Sequence, residues 1–150
     1  MNINRITIQI YDGATNANIL PKNFGRLFRY HEDVILHHLK KRTNFGGYGY
    51  FHTRLFSSYV GDNLVKPYGQ ILEVHFKSDP IDFDLFAKLD ELEKLNLLFN
   101  YTDESVRLAE SKIEVEGFEI LNAIKQARET GLDLKEKYDN WWNEYHKRPK

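Results

Sequence analysis

Two stretches decide the fold: Tyr48-Gly49-Tyr50-Phe51-His52-Thr53-Arg54-Leu55-Phe56 and Gly69-Gln70-Ile71-Leu72-Glu73-Val74-His75-Phe76-Lys77. Both read as strands, the second more cleanly, because Leu72, Val74 and Phe76 share one face while Glu73, His75 and Lys77 share the other. Between them stand Asp62 and Pro67 and no helical period. A parallel pair needs a crossover of about a dozen residues or more, usually a helix, so this short helix-free connection predicts an antiparallel pair joined by a long hairpin loop.

Toward the N-terminus, Arg5 to Tyr11 alternates with period two, placing Ile6, Ile8 and Ile10 on one face of a half-buried strand. Asp12-Gly13 closes it, and Leu20-Pro21 favours a turn. Phe24, Leu27, Phe28, Val34, Ile35 and Leu39 then keep helical spacing, predicting a helix over 23–42 with Asn23 as N-cap and Lys40, Lys41 and Arg42 at its negative end.

Toward the C-terminus, Asp79-Pro80 has the form of a helix start, followed by Leu85, Leu89, Leu92, Leu95 and Phe99. Residues 102–116 read as helix, although Ile113 and Val115 also fit a short strand. Phe118, Leu121, Ile124 and Ala127 form a further stripe ending before Gly131. Asp133 and Glu136 resemble a capping box opening a last helix, whose stripe of Leu134, Tyr138, Trp141 and Tyr145 makes Trp141 core and leaves Trp142 outside it. His146 to Lys150 reads as a frayed basic tail. The expectation is one α+β domain over 1–150: a small, mainly antiparallel sheet of three or more strands, packed on one face by about four helices, with a helical C-terminal half.

Hydrophobic residues make up 41% and charged residues 29%, which excludes the disordered class. Lys and Arg number 21 against 22 Asp and Glu, so no global field draws the chain to nucleic acid or an acidic membrane. Cysteine is absent, which removes disulfides, thiolate metal sites and thiol nucleophiles. With no signal-peptide pattern and no apolar run of about 18 residues, the chain reads as cytoplasmic, with no membrane partner.

Alternation puts His52, Arg54, Glu73, His75 and Lys77 on polar strand faces, where two imidazoles and two cations suit metal-independent cleavage of a phosphodiester. The same pattern also describes a solvated sheet face. His31, His37 and His38 lack the spacing of a helical metal pair, and Asp33 stands where it could pair with His37. Gly46-Gly47-Tyr48-Gly49 matches neither a P-loop nor a dinucleotide fingerprint. Phe45, Tyr48, Tyr50 and Trp142 are the candidate anchors for a partner protein. Two functions follow. The first is a small binding protein of the inhibitor, immunity or adaptor type, with no cofactor and no metal. The alternative is an RNase or nucleotide-processing enzyme acting through the His/Arg/Glu/Lys face.

Overall fold

The computed structural model describes residues 1–147. The chain runs β1 (Arg5–Tyr11), a 3-10 turn (Lys22–Phe24), α1 (Gly25–His38), β2 (Tyr50–Phe56), β3 (Leu64–Tyr68) and β4 (Ile71–Phe76). Four helices follow: α2 (Phe83–Lys88), α3 (Glu91–Lys112), α4 (Phe118–Thr130) and α5 (Lys135–Lys147). The architecture is α+β, with a four-stranded mixed sheet in the order β1-β2-β4-β3.

β2 and β4 are parallel, as are β1 and β2, and only β3 pairs antiparallel, with β4. The antiparallel expectation for β2 and β4 is therefore corrected. The connection between them hides a strand: β3 makes the return journey, the Gly69-Gln70 turn reverses the chain, and β4 slots between β2 and β3. Gly69 has φ 58°, the left-handed conformation that a tight turn needs. Pro67 obscures β3 in the sequence, yet it is tolerated because β3 is an edge strand with one row of N–H groups left unpaired.

The inner face of the sheet carries Ile6, Ile8, Ile10, Phe51, Leu55, Leu72, Val74 and Phe76, all buried with side chains from α1, α3 and α4. This matches the expected apolar face. Polar contacts also cross the layer, among them Thr53 Oγ1 donating to Ser105 Oγ at 2.8 Å.

Helix boundaries differ from the expectation in instructive ways. α1 ends at His38, before Lys40, Lys41 and Arg42, and Asn23 lies in the preceding turn instead of capping it. Asp79-Pro80 starts no helix. Asp82 caps α2 by accepting the Leu85 N–H, and a capping box of Asp90 and Glu93 opens α3 after a break at Leu89. That break turns Leu85 and Leu92 into solvent, while Phe86, Leu95 and Phe99 are buried. α3 continues to Lys112, so most of 102–116 is helix, and Ile113 ends it in extended conformation. α4 buries Ile120, Ala123, Ile124 and Ala127, leaving Phe118 77% exposed, and Gly131 follows as its C-cap. α5 has no fully buried side chain: Trp141 is 47% exposed and Trp142 half-buried, the reverse of the expected order. Of the expected frayed tail, His146 and Lys147 belong to α5, and residues 148–150 lie outside the described residues. Among the described residues, no helix is long and apolar enough to cross a membrane.

Candidate functional site

With the helices gathered on the inner face, the register aligns the outward side chains in rows across the sheet. Arg5, Tyr50, Ile71 and Tyr68 form the first; Thr7, His52, Glu73 and Lys66 the second; Gln9, Arg54, His75 and Leu64 the third. Tyr11 and Phe56 close the far end. The parallel register thus brings the residues of β1 beside His52, which alternation alone leaves open.

His52 sits in a closed hydrogen-bond chain. Thr7 donates its hydroxyl to Tyr50 Oη at 2.9 Å, so it accepts from His52 Nδ1 at 2.6 Å, and His52 Nε2 is left to accept the Tyr11 hydroxyl at 2.9 Å. That set satisfies a neutral ring at both nitrogens. His52 is buried, and burial pushes its imidazole down to about 4, the attraction of Glu73 only partly opposing.

His75 is also buried, its Nε2 at 2.9 Å from Glu73 Oε1. Burial lowers His75 although the hydrogen bond to Glu73 works the other way. Glu73 is itself held below the ordinary carboxylate range: burial would raise it, but His75 and Arg54 together outweigh that effect. Arg54 is less well served. Its terminal nitrogens reach Glu73 at 3.4 Å and Asn16 at 3.5 Å, its Nε is buried without a partner, and its guanidinium lies over the Tyr11 ring at 4.4 Å. Arg5 lies over Tyr50 at 5.3 Å.

The structure therefore brings His52, Arg54, Glu73 and His75 onto one surface, while Lys77 follows the end of β4, its N–H held by Asn63 Oδ1. The chain matches no known protein family, curated protein or solved structure.

The candidate anchors separate. Phe45 is fully buried, edge-on against Phe51, and so belongs to the core. Tyr48 is half-buried against that core. Tyr50 stands on the outward face. Trp142 lies beyond the open side of β1, lining with Arg5, Thr7 and Gln9 a cleft of about 230 Å³ that continues the face around the sheet edge. Sequence reasoning passes over Arg5, Thr7, Tyr11 and Tyr68; the outward alternation of residues 5–11 was the available signal for three of them. The α1 histidines are dispersed: His31 bonds Thr102, His37 approaches the Tyr138 hydroxyl, and His38 bonds Thr130. Asp33 pairs with Arg29 in place of the expected His37. Among the described residues, no group of three or more potential metal ligands converges.

Proposed function

We propose that this protein is a small binding module of the inhibitor, immunity or adaptor type, holding another protein against the helix-free face of its sheet. The observation that carries this reading is the makeup of that face, where Arg5 pairs in register with Tyr50, Tyr68 ends the same row across Ile71, and Arg54 lies over the Tyr11 ring. Tyrosine and arginine are the side chains on which interface energy concentrates. Several are already held by hydrogen bonds or cation–π contacts, so binding costs them little rotamer entropy. Trp142 extends the same surface around β1.

The second reading, cleavage of RNA or a nucleotide, draws on the pair His75 and Glu73, since a carboxylate-oriented imidazole is a common general base. It is the weaker one, because acid–base work also asks His52 for a free nitrogen, and both of its nitrogens are engaged.

The test is capture from an extract of the source cells on the immobilised full chain. Tyr68→Ala and Arg54→Ala are expected to weaken recovery of the captured protein by about ten-fold each, as hot-spot truncations do. A chelator-resistant RNase activity lost in both His52→Ala and His75→Ala replaces this reading with the second.

A further inference from the structure

α3 and α4 run back past one another on the helical side of the molecule. Gly117, at the start of α4, packs close against α3: a Cβ there would stand 2.1 Å from Val106 Cγ1. Farther along, the Arg128 guanidinium lies 5.9 Å from the centre of the Phe99 ring. Because α4 turns Ile120, Ala123, Ile124 and Ala127 inward, its outer edge carries Phe118, Leu121, Lys125 and Arg128 at helical spacing. Asp103 and Arg107 of α3 complete an open cleft of about 480 Å³.

Two properties of this cleft stand out. Phe118 is 77% exposed and adjoins Leu121, so the floor offers apolar surface that folding has not removed from water. The rim is cationic. Arg107 is paired with Asp103 at 2.7 Å, but among the described residues neither Lys125 nor Arg128 has a carboxylate within 4.0 Å. Three cations less one carboxylate leave two positive charges beside an aromatic floor.

We propose that the outer groove between α3 and α4 is a second docking site, which takes an acidic segment of a partner protein carrying an apolar side chain. Carboxylates of that segment meet Lys125 and Arg128, and its apolar side chain covers Phe118 and Leu121. A nucleic acid fits less well, because Asp103 lies within the cleft and only two cations are free to neutralise phosphates. The site lies on the helical layer, away from the outward sheet face, so it stands independently of the function proposed above. With both surfaces in use the chain would bridge two partners.

The experiment selects short random peptides on the immobilised full chain and measures the enriched ones by fluorescence anisotropy. Enrichment of sequences combining Asp or Glu with Phe, Leu or Trp is expected. Their affinity should fall about ten-fold for Lys125→Glu combined with Arg128→Glu, and about ten-fold for Phe118→Ala. All these side chains are at least partly exposed, so thermal melts should match the parent chain and show that the loss is local. Arg54→Ala on the sheet face should bind the peptides as the parent does. Enrichment of neutral or basic peptides, acidic peptides that bind the charge-reversed variant equally well, or peptides lost on Arg54→Ala would each overturn the proposal. So would a single-stranded RNA oligonucleotide that occupies the groove in preference to them.

Discussion

Glu32, midway along α1, is 1% exposed and yet accepts hydrogen bonds from the Ile6 N–H at 2.9 Å and from Arg5 Nε at 2.8 Å, with Arg29 at 3.5 Å. It takes up a backbone donor on the open edge of β1 and ties that strand to the helix that follows it. Glu32→Ala should cost about 3 kcal/mol in urea denaturation, because it strands a buried N–H and removes the carboxylate from two guanidinium groups. Neither role is visible in the sequence, where Glu32 looks like one more charge on an amphipathic helix. The two tryptophans show the same limit: stripe spacing puts Trp141 inside, but which face of α5 meets α1 is set by tertiary packing that periodicity does not encode. Arg29 lies over the Trp141 ring, which stacks on Tyr145 with about half of each side chain in solvent. Trp141→Ala should therefore change stability by less than about 1 kcal/mol, and a core-sized loss would return it to the interior.

At the scale of elements, what alternation and stripe spacing can express was legible: the inner faces of β1 and β4, the existence of α1 and α4, and the helical character of the C-terminal half. What they cannot express is which strands neighbour one another. Nothing local to residues 50–56 reveals that they lie between β1 and β4, and Pro67 disguises the short strand that makes the parallel arrangement possible. The candidate site was legible to the same depth. His52, Arg54, Glu73 and His75 could be placed on outward faces, but the bonds to Thr7 and Tyr11 that quiet His52 depend on the parallel register with β1. Helix contacts have their own local determinants. Gly117 has φ −93°, an ordinary value, so its substitution is a question of space and not of backbone strain. Gly117→Ala should destabilise by about 2 kcal/mol through its clash with Val106. Combined with Val106→Ala it should cost clearly less than the sum of the two single changes, since the smaller side chain makes the room; strict additivity would deny the contact. α5, lacking any fully buried side chain, should exchange its amide hydrogens well before α3 and α4.

For the molecule as a whole, the buried imidazoles set the response to acid. Burial pushes His31 down to about 3 and His52 down to about 4 from the ordinary 6.5, and also lowers His75 and His38. His31 is the most enclosed. Thr102 gives its hydroxyl to the Leu98 carbonyl and so accepts from His31 Nε2, while Nδ1 has no partner to receive a proton's hydrogen bond. As pH falls through 6.5 the unfolded chain takes up protons that the folded chain refuses, so the stability held in full above that value drains away toward about 4 for His52 and about 3 for His31. Asp33 acts in the opposite sense. Burial raises it to about 6 against the pull of Arg29, so between about 6 and 3.8 the folded chain takes the proton first and gains stability on acidification. From near pH 7 to about pH 4.5, the two deepest histidines each remove about 2 to 3 kcal/mol, and Asp33 returns about 1 kcal/mol once solvent screening is allowed for. These three groups together should lose about 4 kcal/mol, with His75 and His38 acting in the same direction as the other histidines, read from urea midpoints across that range. His31→Gln and His52→Gln, which cannot charge, should flatten the dependence, and Asp33→Asn should steepen it. A stability that stays level from pH 7 to 4.5 would mean that both imidazoles accept protons freely in the folded state, and that the closed hydrogen-bond chain around His52 opens without resistance.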